Sequence, residues 1–451
     1  MKRLIKNGTL LLPGGRQKAN LLLEGGRIAQ IGTEEFEADQ VVDAEGCFVL
    51  PGFIDPHTHL ELSPDHFGRD TEAAALGGCT SVLEFANQFR GESMMQGFEK
   101  WMDWAIDSTV NYGFHMSLSA WDEAHLRELD KMDEVGVASY KMYMVYDDLR
   151  VNDGEIYGAL RGIRAHGGIL GVHCENWDLL KVITEEVYRS GITSAEGHPL
   201  SRPVPVEAEA VARFLRIAQL AESPAYVVHL SSREGLEEIR RARARGQEVY
   251  VETCPQYLLL TDDCYNREDG VKYMMSPPLR KAKDTAALWE ALAAGEIDTV
   301  GTDHCSFPLA DRLAHRDDFR KVPNGCAGLQ HRGQLLYTYG VCENRITLEQ
   351  MVSVLSAHPA RIFGVSDRGE LVPGKAADVV VWDPSYRGII TDTNHHHACD
   401  SSVYAGFAVK GRARDVFING AQVVENGELI RSGGGRYLRC GPGLHYRETQ
   451  K

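Results

Sequence analysis

The chain has 451 residues, of which 43% are hydrophobic, and carries 48 lysines and arginines against 64 aspartates and glutamates. That length accommodates a large domain with a smaller module beside it, and the composition excludes a fibrous or disordered chain. A formal charge of −16 disfavours a nucleic-acid backbone or an anionic membrane as partner and favours solubility.

The start, Met1-Lys2-Arg3-Leu4-Ile5-Lys6-Asn7-Gly8, is basic but has no apolar stretch behind it that would make a secretory signal. No run reaches the ~20 apolar residues of a membrane helix. The ten cysteines are scattered without a CxxC pair, which points to reduced, mainly buried thiols and a cytoplasmic protein. Residues 1–50 read as short strands and turns, with two strands in 21–31 around Gly25-Gly26. Segments 377–382 and 416–424 have the same character. The expectation is a small β-sandwich built from both ends, 1–50 and 365–430, around a barrel at 51–364. A tail, 431–451, follows, and its Ser432-Gly433-Gly434-Gly435-Arg436 reads as a flexible connection.

Between the ends, eight short apolar runs alternate with helical patterns: 52–57, 80–85, 113–119, 137–145, 169–173, 225–230, 248–253 and 297–303. Residues 206–218, 232–244 and 284–294 keep apolar positions at three- and four-residue spacing, so they predict helices. Strand–helix alternation implies parallel strands, and eight of them close an α/β barrel of the (β/α)8, TIM-like kind. Such barrels gather chemistry at the carboxyl ends of their strands.

Six residues suited to metal binding stand at those ends. His57 and His59 are two apart, so in extended backbone both imidazoles face the same side. His173 and His229 each follow an apolar run, and Asp303 ends the eighth. Singly, a histidine there is more often a satisfied core residue, and an aspartate more often a helix cap. All of them at one end of one barrel make a metal centre the better reading. Lys141 lies in a strand with few charges, Val137-Ala138-Ser139-Tyr140-Lys141-Met142-Tyr143. Burial lowers a lysine pKa, and the neutral amine can add carbon dioxide to become a metal-bridging carbamate. The other reading, a lysine that snorkels or pairs with Asp147 or Asp148, stays open on residue type alone.

At these residues the chain resembles the dihydropyrimidinase and hydantoinase family of cyclic amidohydrolases. The resemblance covers nearly the whole chain and rests on Pro51-Gly52-Phe53-Ile54-Asp55-Pro56-His57-Thr58-His59, Ser139-Tyr140-Lys141-Met142-Tyr143-Met144-Val145-Tyr146 and His173-Cys174-Glu175-Asn176. Val251-Glu252-Thr253-Cys254-Pro255-Gln256-Tyr257-Leu258, Ser276-Pro277-Pro278-Leu279-Arg280, Gly301-Thr302-Asp303-His304-Cys305 and Pro323-Asn324-Gly325 extend it. It implies two divalent ions, zinc by preference. His57, His59 and Asp303 would hold one, His173 and His229 the other, with carboxylated Lys141 and a hydroxide between them. It further implies Tyr146 as the donor to a developing oxyanion, Ser276 and Asn324 as positions whose backbone groups hold the cyclic amide or imide, and Asp303 as the proton carrier. The implied reaction opens a hydantoin or dihydropyrimidine ring to an N-carbamoyl amino acid, in a homotetramer or homodimer.

Three places depart from the family pattern. Residues 60–67 form a shortened loop after His59, Gln330 stands where relatives carry glutamate, and His395-His396-His397 reads as a solvated surface loop. The competing readings are an allantoinase-like ring opener, a one-metal deaminase, which Lys141 disfavours, and a non-enzymatic scaffold of the same family, which the complete ligand set disfavours.

Overall fold

The computed structural model describes residues 1–63 and 65–443; Pro64 in the shortened loop and the end of the expected tail lie outside the described residues. Eight strands form one sheet with every neighbouring pair parallel and in sequence order. They are Phe53–Thr58, Cys79–Gln88, Asn111–Leu118, Ser139–Tyr143, Ile169–His173, Ala225–Val227, Val249–Thr253 and Thr299–Val300. Each overlaps its predicted run. The sixth and eighth are the ones cut shortest at the carboxyl end. There the backbone turns left-handed, at His229 (φ 38°) and Asp303 (φ 53°), and regular pairing stops.

Backbone and side chains together close the ring between the last strand and the first. The Asp303 amide donates to the His57 carbonyl and the His59 amide to that of His304, each at 2.9 Å. Thr302 donates its amide to Asp55 Oδ1 at 3.1 Å. Behind them the buried Arg332 guanidinium donates to the Ile54 carbonyl on the first strand at 3.0 Å and the Val300 carbonyl on the last at 2.9 Å. One arginine thus satisfies carbonyls from both edges of the seam.

The predicted helices form with displaced ends. Val204–Leu220 turns Val206, Ala210, Val211, Phe214, Leu215 and Ala218 inward, as its spacing requires. Truncating a buried phenylalanine such as Phe214 to alanine costs about 3–5 kcal/mol. Arg233–Ala244 begins one residue later than the apolar pattern, because Ser232 caps it, its hydroxyl accepting from the Gly235 amide at 3.1 Å.

The terminal segments build a second, mainly antiparallel sheet. Lys2–Leu12, Gly15–Glu24, Arg27–Gly32 and Phe48–Pro51 from one end join Val379–Ile389, Ala408–Ile418 and Ala421–Glu425 from the other. The segment leading into Val379–Ile389 lies against Arg27–Gly32, the Ile28 amide donating to the Lys375 carbonyl at 2.9 Å. Ile5, Leu10, Leu21, Val49, Val379 and Phe417 fill the resulting core, separate from that of the barrel. All ten cysteines are free thiols, and Cys264, Cys342 and Cys399 are the ones not fully buried. No helix among the described residues is long and apolar enough to cross a membrane.

Two sequence readings are corrected here. The glycine-rich stretch at 432–436 is not a flexible connection. It docks on the barrel, with the Gly435 amide donating to the Ser108 carbonyl at 2.8 Å and the Gly433 amide to Thr109 Oγ1 at 2.9 Å. A Cβ at Gly435 would lie 2.0 Å from the Val110 oxygen, so glycine is there for close approach. Nor is His395-His396-His397 a solvated loop. His397 is fully buried and accepts from the Gln330 amide at 3.1 Å, while Gln330 Oε1 accepts from the His396 amide at 2.7 Å. His396 also meets Glu72 Oε2 at 2.6 Å. Gln330 and the histidine run, two oddities far apart in the chain, are one packed unit.

Candidate active site

The six residues expected at the metal centre come together at the carboxyl ends of five barrel strands. His57 lies within the first strand and His59 just past it; Lys141 is inside the fourth, His173 ends the fifth, and His229 and Asp303 follow the sixth and eighth. Ring centroids run 5.3 Å from His59 to His57, 5.3 Å from His57 to His229 and 4.5 Å from His229 to His173. Asp303 Oδ1 stands 3.0 Å from His57 Nε2 and 3.3 Å from His59 Nε2.

Carboxylates behind three of the four histidines set which ring nitrogen faces inward. Glu252 Oε1 takes His57 Nδ1 at 2.5 Å, Glu61 lies 3.5 Å from His59 Nδ1, and Glu175 Oε2 takes His173 Nε2 at 2.7 Å. An ionised carboxylate only accepts, so the nitrogen it touches carries a proton and the opposite nitrogen is the one turned to the centre. His57 and His59 therefore present Nε2, and His173 presents Nδ1. Glu175 is held in turn by Arg202 at 2.5 Å. For His59, burial lowers the pKa, but hydrogen bonds to Asp303 and Glu61 overcome it and raise it to about 10. Burial works against the Asp303 charge, yet His57, His59 and His229 hold its carboxyl well below the ordinary range.

Lys141 does not snorkel, and among the described residues no acidic group forms an ion pair with it. Its Nζ is buried without a hydrogen-bond partner, 4.6 Å over the Phe85 ring and 4.9 Å from that of Tyr143. Burial lowers its pKa to about 8, against the pull of Asp303 and Glu252. Asp147, one of the partners weighed from sequence, instead accepts from Trp177 Nε1 at 2.9 Å.

Above this cluster opens a cavity of about 430 Å³ lined in part by His59, Lys141, His173, His229, Asp303 and Tyr146. Its size suits a small organic ring. Ser276 and Asn324 also line the cavity. Tyr146 (φ 71°) joins His229 and Asp303 among the non-glycine residues held left-handed, a conformation that costs about 1–3 kcal/mol and gathers at functional sites. Burial raises the Tyr146 phenol against the opposing pull of Arg202, so it stays a donor at neutral pH.

Comparison with known proteins agrees with this geometry. The model of the amidohydrolase family matches residues 48–423. The D-phenylhydantoinase of Escherichia coli O1:K1 / APEC is 39% identical over 459 residues, covering 98% of this chain and 99% of its own length. The chain belongs to the amidohydrolase family. Within it, the D-hydantoinase of Rhizobium radiobacter is 38% identical over 442 residues, covering 95% of this amidohydrolase and 96% of its own length. The crystal structure of dihydropyrimidinase from Brevibacillus agri NCHU1002 matches at a TM-score of 0.96 with 35% identity, over 98% of this chain and 100% of that one. The family implies a centre of two divalent metal ions, and the nitrogens and oxygens of His57, His59 and Asp303 converge closely enough in this amidohydrolase to hold one of them.

Sequence reasoning did not assign roles to Glu61, Glu175, Glu252 and Arg202. The clue was available: Glu252 and Glu175 are charges next to otherwise apolar strand ends, where an unpaired carboxylate is expensive. Their partners, though, are 195 residues away in the case of Glu252 with His57, which no local pattern reveals.

Proposed function

We propose that this amidohydrolase opens a cyclic amide or imide of the hydantoin or dihydropyrimidine type to an N-carbamoyl amino acid. The observation that carries this reading is the convergence of His57 Nε2, His59 Nε2 and Asp303 Oδ1 beside a buried Lys141 whose Nζ has no hydrogen-bond partner among the described residues. Two imidazole nitrogens turned onto one carboxylate oxygen need a cation between them, a proton or a metal ion. The donor set fits two divalent ions: His57, His59 and Asp303 would hold one and His173 and His229 the other, with carboxylated Lys141 reaching both. Imidazole and carboxylate donors with positions left open for water and substrate suit zinc. Bound there, such ions supply a strong nucleophile from water at neutral pH and polarise a carbonyl.

The side chains perform the rest. Asp303, kept ionised, accepts a proton as attack proceeds and delivers it to the departing ring nitrogen. Tyr146 donates its phenolic hydrogen to the oxyanion that forms. Ser276 and Asn324 align the ring's amide edge so that the attacked carbon sits over the centre.

The test is turnover of hydantoin, dihydrouracil, 5-phenylhydantoin and allantoin by purified protein, with metal analysis of the same sample. Ring opening of at least one substrate at about two ions per chain is expected. A fully loaded protein that opens none of them would sink the reading.

A further inference from the structure

Glu252 joins residues at the ends of the first and sixth barrel strands, and it is closed off from solvent. It is fully buried at the end of the seventh barrel strand. Its Oε1 takes His57 Nδ1 from the first strand at 2.5 Å and the His229 backbone amide after the sixth at 3.0 Å. Its Oε2 accepts from Tyr226 of the sixth strand at 3.0 Å, and the same hydroxyl lies 2.6 Å from Thr299 Oγ1 of the eighth. Gly301 completes the enclosure, since a Cβ there would lie 2.9 Å from Glu252 Oε2 and 2.9 Å from His57 Cβ.

We propose that Glu252 is the positioning residue that ties the two halves of the centre together, fixing the His57 tautomer and the left-handed turn at His229 with a single oxygen. The inference rests on the metallo-hydrolase reading above. The contrast with Glu175 carries it further. Glu175 has Arg202 as a permanent counter-charge at 2.5 Å. Among the described residues no lysine or arginine forms an ion pair with Glu252; its only ion-pair partner is His57. A buried carboxylate without a basic partner is costly. Its charge is therefore offset through His57 by the cation that His57 holds, so removing that charge weakens that cation's binding. Carboxylates behind metal-bound histidines act in this way generally, and their loss costs about 10–100-fold in affinity.

The test is metal content per chain against free zinc set by a chelating buffer, for the parent and Glu252→Gln. The amide oxygen of the variant still accepts from His57 and His229, while its NH2 faces the Tyr226 hydroxyl, which can turn its hydrogen to Thr299 Oγ1; the charge is removed with both contacts of Oε1 kept. Half-saturation of one of the two ions is expected to move about 10–100-fold higher in free metal. The melting temperature of the metal-free form should hold, and kcat should fall with little change in KM, because Glu252 does not line the cavity. Tyr226→Phe, which removes one hydrogen bond to Glu252 and touches no ligand, should give a smaller shift of the same sign, and it carries the test if the amide variant does not fold. Binding curves that superimpose on the parent's overturn the inference while leaving the proposed function standing. A parent that binds no divalent ion overturns both.

Discussion

His57 Nε2 faces Asp303 Oδ1 at 3.0 Å, and the opposite nitrogen of the same ring is committed to Glu252 at 2.5 Å. The imidazole is thus held between two carboxylates, one of which fixes its proton. The other can tolerate the remaining lone pair only with a cation between them, whether a second proton or a metal ion. This places Asp303 at the point where charge and proton movement meet.

Asp303→Asn keeps the size of the side chain and removes its basicity. Turnover should fall by about 10²–10⁴-fold, the contribution usual for a positioned acid–base group. The melting temperature should change by only a few degrees. Steady-state rates measured beside metal content decide the matter, and near-parental turnover in a loaded variant would refute the proton-carrying role.

The proposed carboxylation of Lys141 needs its neutral amine, whose pKa burial lowers to about 8. Below that value the protonated fraction grows, and addition should slow by about tenfold per pH unit. Metal-free protein given divalent ions at one fixed concentration of dissolved carbon dioxide should therefore regain activity faster at pH 8.5 than at pH 6.5, roughly in proportion to the free amine. A reactivation rate independent of pH across this window would remove the carbamate from the account. Lys141→Ala should lose metal and activity together, and a short carboxylic acid should restore part of both.

Tyr146→Phe removes the phenolic donor and leaves the ring between Tyr143 and Trp177, whose centroids are 6.2 and 6.5 Å away. Loss of one donor to a developing oxyanion costs about 10²–10³-fold in kcat. Metal content should be unaltered. Equal kcat values for parent and variant would assign the oxyanion to other groups.

The metal-free protein should lose stability in acid through Glu175. Burial raises this carboxyl, but Arg202 and His173 override it and hold it at about 2, against 4.5 for an ordinary glutamate. A carboxyl lowered on folding contributes stability that is complete above its unfolded pKa and is lost as pH falls through its folded one. The loss should run from about pH 4.5 down to 2. Asp70, buried against burial's upward push by His304 and His397, acts in the same direction. Glu175→Gln should melt lower at pH 6, by about 3–5 kcal/mol for breaking a buried pair, but respond less steeply to acid. Parallel melting curves against pH would show that Glu175 is not the titrating group.

The alternation of apolar runs with helical spacing determined the barrel by itself, because period-2 and period-3.6 patterns are local and survive translation into structure. Positions 57, 59, 141, 173, 229 and 303 were legible as a site for the same reason: each sits at a strand end, and the barrel supplies the third dimension. What the tertiary structure alone decided depends on partners distant along the chain. Whether Lys141 would snorkel or stay unpaired turned on the Phe85 and Tyr143 rings around it. Whether His395-His396-His397 would be solvated turned on Gln330 and Glu72. The nitrogen that His57, His59 and His173 turn inward was set by Glu252, Glu61 and Glu175, because a tautomer is fixed by the hydrogen bond at the far side of the ring and not by the residue type.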